Sequence, residues 1–240
     1  MKKLIFLLFV SLCIAASAAC SVEPSSSGKD PVIDTSATPA SESVSPTPTA
    51  APTPTTTPTP SPTPSPTPMP DWVTVFVAFT NYHEGELAGI TDALDEAGYR
   101  AVITSTQTGT AKGMGGGRVE IDIAIDEIED VGLGIVIAGG TGVVDIWNDE
   151  VLLELVRGAN EQGLLVAGIC AGPGVLGNAG VLVGKSASWY NGPNTNAAMS
   201  EAGCENSGQA VTIDGNAVTG NGPSAAKEFG AAVVEVLDSM

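Results

Sequence analysis

From Trp72 onward, short apolar runs alternate with segments of helical spacing. Trp72–Phe79, Ala101–Ser105, Gly134–Ala138 and the run from Leu164 are rich in Val, Ile, Leu or Phe and too short for ordinary helices. They predict buried strands. Between them the period changes. Leu87, Ile90 and Leu94 share one face of a predicted helix Glu86–Ala97, which Gly98 ends as a C-terminal glycine does. Leu152, Leu153, Leu155 and Val156 mark the inner face of a second helix, Ile146–Gln162, and Lys227–Leu237 predicts a closing one. Asn81–Gly85 reads as a turn and Thr106–Gly117 as a polar, glycine-rich loop. Val119–Ile125 alternates apolar and acidic residues, as a short exposed strand would. Ala187 and Ser188 start a short strand, and Asn196–Ala202 a short helix. Asp214-Gly215-Asn216 between Ala210–Ile213 and Ala217–Thr219 is a hairpin signal. Strands alternating with helices predict an α/β domain with a mainly parallel sheet and helices on both faces.

The first seventy residues lack this pattern. Lys2 and Lys3 precede an apolar stretch, Leu4–Ala16, that is too short to span a bilayer comfortably. Ser17-Ala18-Ala19-Cys20 then resembles the lipobox of a bacterial lipoprotein, with Ser17 where a leucine is usual. On that reading, residues 1–19 are a signal peptide and Cys20 carries lipid. The domain would then be held at the bacterial cell membrane on its extracytoplasmic side. The alternative is a secretory signal cut after Ala18 or Ala19. Residues 20–70 are Ser-, Pro- and Thr-rich, and proline denies them helix and central-strand structure. A disordered tether of that length reaches on the order of 100 Å or more. The folded domain is therefore expected over residues 71–240.

Composition narrows the partners. A formal net charge of −18, from 27 acidic and 9 basic side chains, argues against nucleic acid. No metal site and no cofactor are read from the chain. With Cys13 in the signal and Cys20 as anchor, Cys170 and Cys204 are the thiols of the domain, and they read as two separate thiols rather than a disulfide.

The richest stretch is Leu164-Leu165-Val166-Ala167-Gly168-Ile169-Cys170-Ala171-Gly172-Pro173-Gly174. A buried strand ends at one cysteine, and small residues and a helix to Ala179 follow. This is the pattern of a nucleophile elbow. Unpaired amides at a helix start stabilise a thiolate, so the expectation is a lowered thiol pKa. The plain alternative is a buried structural cysteine. In parallel sheets, sites form beyond the carboxyl ends of the strands. The Asn81 turn, the Gly139-Gly140 turn and Cys170 all lie at such ends and are expected to converge.

These residues resemble the DJ-1/PfpI superfamily. The resemblance is carried by Ile135-Val136-Ile137-Ala138-Gly139-Gly140, Ala167-Gly168-Ile169-Cys170-Ala171-Gly172-Pro173, the Val175–Gly184 segment, and Asp214-Gly215-Asn216 through Gly222-Pro223. It implies a three-layer flavodoxin-like, class I glutamine amidotransferase-like sandwich. It implies Cys170 as the reactive residue and Glu86, on the helix after the first strand, as the carboxyl that touches it. It implies an anion pocket from the amides of Gly140, beside Gly139, and Ala171, and a possible homodimer. A protonated Glu86 would donate to a thiolate; the plain alternative is an acid facing the helix dipole.

Protease-like members carry a histidine directly after the cysteine, where this chain has Ala171, and others take one from a later loop. Here the single histidine is His83, which stands three residues before Glu86. An imidazole there is a candidate proton carrier or a solvated loop residue. The Ala171 form is similar to the redox-responsive and glyoxalase-like branch. Two functions follow. One is a cysteine-dependent glyoxalase or hydrolase acting on a small reactive carbonyl. The other is a non-catalytic redox-sensing, chaperone-like or ligand-binding lipoprotein.

Overall fold

A computed structural model describes residues 71–240. The signal peptide expected at residues 1–19, the lipid expected on Cys20 and the tether expected at residues 20–70 lie outside the described residues.

The strands are β1 (Trp72–Phe76), β2 (Thr80–Tyr82), β3 (Arg100–Ser105), β4 (Gly109–Gly113), β5 (Arg118–Ile121) and β6 (Ile123–Ala124). They continue with β7 (Gly134–Ile137), β8 (Leu165–Ile169), β9 (Ser186–Ala187), β10 (Glu205–Asn206), β11 (Val211–Asp214) and β12 (Ala217–Gly220). The helices are α1 (Glu84–Ala97), α2 (Glu150–Glu161), α3 (Pro173–Asn178), α4 (Pro193–Glu201) and α5 (Ala226–Asp238). The main sheet runs β11-β12-β8-β7-β1-β3-β6. Every pairing in it is parallel except the β11–β12 hairpin. A small sheet, β2-β4-β5, and the pair β10-β9 flank it.

Alternation along the central strands builds two cores. Val73, Val75 and Val136 face one side and pack with Ile90, Leu94, Phe229 and Val233 of α1 and α5. Phe76, Ile135 and Ile137 face the other side, against Leu152, Val156 and Leu176 of α2 and α3. A period of two with both faces covered gives three layers, as the sequence pattern predicted.

The boundaries depart from expectation for local reasons. Helix α1 starts two residues early because the His83 side chain caps it, its Nδ1 accepting from the Glu86 amide at 3.3 Å. Helix α2 starts late, at Glu150, because the Asp149 carboxylate accepts from Leu152 N and caps it there. Residues 141–146 form a separate 3₁₀ turn. Helix α4 begins at Pro193, earlier than the predicted Asn196, with proline at its first position. The segment read as one strand, 119–125, divides between two sheets. Asp122 causes the division: its amide donates to Ile103 O at 2.8 Å, and its carboxylate accepts from Ile103 N at 2.7 Å. The predicted loop 106–117 contains β4, whose pairing with β2 and β5 is tertiary. Among the described residues, no helix is long and apolar enough to cross a membrane.

Candidate functional site

Cys170 stands at the carboxyl end of β8 with φ +62, a conformation rarely held by a residue with a side chain. Such a conformation costs about 1–3 kcal/mol, so its surroundings must enforce it. Two hydrogen bonds do so. The Cys170 amide donates to Gly220 O at 2.9 Å, and the Cys170 carbonyl accepts from Tyr190 N at 3.0 Å. The next peptide is also fixed: Trp147 Nε1 donates to Ala171 O at 2.8 Å. Gly174 leaves room for that indole, since a Cβ on it would lie 2.6 Å from Trp147 Nε1. The predicted elbow is present, with a strained cysteine at its apex.

The neighbouring turns converge on it as expected. Gly140 has φ +117, and a Cβ there would meet Asn81 O and sit 2.7 Å from His83 N. Only glycine lets the strand-end turn after β7 touch the turn before α1. His83 N donates to Gly139 O at 2.9 Å and fastens the two together. That seam delivers Glu86 to Cys170. A Cβ on Gly139 would fall against the Glu86 carboxyl and 2.6 Å from Cys170 Cβ, so the three residues share one small volume.

Glu86 is fully buried, and among the described residues neither carboxyl oxygen has a partner in hydrogen-bond geometry. The Cys170 thiol and the Gly139 amide are near enough to favour its charge, but burial outweighs them and raises the carboxyl to about 7. Burial also pushes the Cys170 thiol up, to about 12, with the Glu86 carboxylate adding to the rise; the amides of Gly140 and Ala171 oppose it. The expectation of a lowered thiol pKa is therefore overturned. The elbow amides do stabilise the thiolate, yet desolvation and a neighbouring carboxylate weigh more. The arrangement is a neutral thiol beside a carboxyl poised near neutrality.

Above Cys170 lies a cavity of about 360 Å³ with mostly apolar walls. His83, Gly140 and Ala171 line it, as do Met114, Tyr190, Thr195 and Pro223. The sequence reading did not find the last four. Met114 arrives on the β4–β5 turn, held there by Glu84, whose carboxylate accepts from Gly115 N at 2.7 Å and Gly117 N at 3.0 Å. Those bonds, with its own backbone amide first, hold the Glu84 carboxyl below its ordinary value. The run Gly115-Gly116-Gly117 was the one available signal of a tight loop. Tyr190 and Thr195 follow β9, whose Ser188 is fixed by Thr219 and Thr212 through bonds of 2.8 and 2.7 Å.

Cys204 is outside this group. Its thiol donates to Leu182 O at 3.4 Å, and both cysteines are free. Among the described residues, no cluster of three His, Cys, Asp or Glu side chains could hold a metal.

Comparison with known proteins bears on the fold and the family. Deglycase PfpI of Pyrococcus furiosus is 31% identical over 150 residues, covering 62% of this chain and 89% of that protein. A glutathione-independent glyoxalase of Caenorhabditis elegans is 28% identical over 148 residues, covering 61% and 78% respectively. The crystal structure of a ThiJ/PfpI domain protein from Brachyspira murdochii superposes with a TM-score of 0.69 at 28% identity. It covers 72% of this chain and 99% of that one. Residues 72–236 match the DJ-1/PfpI family, and the chain belongs to it.

Proposed function

We propose that this protein is a cysteine-dependent enzyme acting on small reactive carbonyls, in the manner of a glyoxalase. The observation that carries the reading is the buried Glu86 carboxyl set against the Cys170 thiol at the floor of an apolar cavity. Similarity to two relatives, a deglycase and a glyoxalase, supports it.

The chemistry follows from the pair. A thiol near 12 does not ionise alone at neutral pH, so its proton must leave as the C–S bond forms. A Glu86 carboxylate near 7 accepts that proton with little driving force lost. Sulfur adds to the aldehyde carbon of a 2-oxoaldehyde, and the developing oxyanion faces the amides of Gly140 and Ala171. Glu86 gives the thiol proton to that oxyanion, forming a hemithioacetal. As a carboxylate again, it takes the hydrogen of the same carbon as a proton and delivers it to the adjacent carbonyl carbon, while the hemithioacetal hydroxyl proton passes to the adjacent oxygen. The first carbon is oxidised to a thioester and the second is reduced to an alcohol, with no external redox partner. Water hydrolyses the thioester, releasing a 2-hydroxy acid and the thiol. His83 supports this site without being the base, because its Nδ1 is committed to the Glu86 amide.

Steady-state turnover of methylglyoxal tests the reading. Wild type is expected to form lactate, and Cys170→Ser and Glu86→Gln are each expected to lose at least about a hundredfold. Absence of turnover in the wild type, or full activity in Cys170→Ser, overturns it and favours a non-catalytic, oxidisable thiol. From the sequence pattern alone we also propose that lipid on Cys20 tethers the domain to a membrane. Detergent-phase partitioning unchanged in Cys20→Ala would refute that.

A further inference from the structure

The far wall of the Cys170 cavity is the start of α4: Gly192, Pro193, Asn194 and Thr195 all line it. Helix α4 has nine residues and no side-chain cap at Gly192. Its first position is proline and has no N–H, and the Asn196 amide already donates to Gly192 O at 2.8 Å. The amides of Asn194 and Thr195 are the two left over, and among the described residues neither has a backbone acceptor.

A second feature at the same place is independent of the helix end. The Thr195 side chain is 4% exposed, yet among the described residues its hydroxyl has no hydrogen-bond partner. The oxygen is not one of the fully enclosed atoms without a partner, which among the described residues are those of Glu86 and Ser105, so on an otherwise buried residue it is open to the cavity that Thr195 lines. Charge points the same way. The sequence has 27 acidic residues against 9 basic, but none of the described residues lining the cavity is Asp or Glu.

We infer that the cavity binds its substrate by a carboxylate, held by the Asn194 and Thr195 amides and the Thr195 hydroxyl at the start of α4. A carboxylate is the ligand that uses two amides and a hydroxyl at a positive helix end. At about 360 Å³ the cavity is at the small end of ligand sites, so the ligand is a short acid. Resting on the carbonyl chemistry proposed for Cys170, the substrate class becomes short 2-oxoaldehydes with a carboxylate at the end away from the aldehyde.

Binding of an acid and its neutral ester tests the subsite without turnover. Calorimetric titration of the purified protein with 4-oxopentanoate and with its methyl ester is the experiment. Wild type is expected to prefer the acid by about tenfold or more, the worth of a charge-assisted hydrogen bond. Thr195→Val is expected to remove most of that preference, and Thr195→Ser to restore it. Equal affinity for acid and ester, no binding of the acid, or an unchanged preference in Thr195→Val each overturns the inference. Failure of the catalytic reading looks different: the acid preference persists while no oxoaldehyde is turned over.

Discussion

Replacing Glu86 by glutamine separates the two jobs the structure gives this carboxyl. Its pKa lies at about 7 in the folded protein, against an ordinary value of 4.5. A carboxyl raised on folding makes the native state bind more protons than the unfolded state between those values. The associated stability is present in full below about 4.5 and is lost as pH rises through about 7. At about 1.4 kcal/mol per pH unit, the full loss is about 3.5 kcal/mol. Between about pH 5 and about pH 8.5, roughly 2.5 kcal/mol of it is traversed. Cys170 contributes little below the ordinary thiol range, because its own shift is also upward, from 9.0 to about 12.

Urea melts across that pH range, on wild type and Glu86→Gln, read the difference directly. Wild type is expected to lose about 2.5 kcal/mol more than the variant, or roughly 5–10 °C in Tm for a domain of this size. The slope with pH is the decisive quantity. A buried glutamine amide carries its own unsatisfied donors, so absolute stability at one pH mixes two effects. A second reading comes from the thiol. Removing the carboxylate removes one cause of the high Cys170 pKa, so thiolate absorbance is expected to appear at lower pH in Glu86→Gln even as turnover falls. Identical pH slopes, or a thiol that becomes harder to ionise in the variant, would refute the account of the pair given above.

Three further outcomes follow. His83→Gln is expected to cost about 1 kcal/mol of stability through the lost helix cap while changing methylglyoxal turnover less than about tenfold; a drop of a hundredfold with folding intact would make His83 the base. Gly139→Ala inserts a methyl 2.6 Å from Cys170 Cβ and against the Glu86 carboxyl. It is expected to cut turnover by about a hundredfold or more and to destabilise by about 1–3 kcal/mol, and wild-type turnover would show that the two groups need not touch. Because the Glu84 carboxyl is held below its ordinary 4.5, its clamp on the β4–β5 turn is present above that value and is lost as pH falls through its folded pKa. Glu84→Gln is expected to speed hydrogen exchange of the Gly115 and Gly117 amides at neutral pH, measured by NMR, and unchanged exchange would assign the turn's order to its own backbone.

What could be read from the chain divides along a physical line. Buried parallel strands announce themselves because both faces must be apolar, so Gly134–Ile137 and Leu165–Ile169 stand out without any knowledge of their neighbours. The elbow is similarly local: an apolar run stops at Cys170 and gives way to Ala171-Gly172-Pro173-Gly174. Strand β4, Gly109-Thr110-Ala111-Lys112-Gly113, has almost no β propensity and exists because β2 and β5 supply its partners. Met114 reaches the cavity only through that pairing, so no property of its own sequence position could place it there.

The sign of the Cys170 shift was hidden for the same reason. The helix-start amides that lower a thiol pKa belong to the elbow and can be read from its sequence, and Ala171 supplies one of them. The terms that raise it do not belong to the elbow. Burial comes from β8 lying inside the sheet between β7 and β12, with α3 and α5 packed on it and the Tyr190 amide bonded to the Cys170 carbonyl, and the opposing charge comes from Glu86, whose helix starts eighty-six residues before Cys170 if counted from Glu84. A local stabilising effect and a distant destabilising one meet on the same sulfur, and the distant one is larger. That balance changes what the thiol needs. An activated thiolate would react with any small electrophile, whereas on the carbonyl chemistry proposed here a neutral thiol beside a carboxylate would react when a carbonyl is held where Glu86 can take the proton as the bond forms. On the proposed chemistry the Gly140 and Ala171 amides hold the carbonyl oxygen, and selectivity among carbonyls falls to the rest of the wall, where the proposed carboxylate contacts are the amides and hydroxyl at the start of α4.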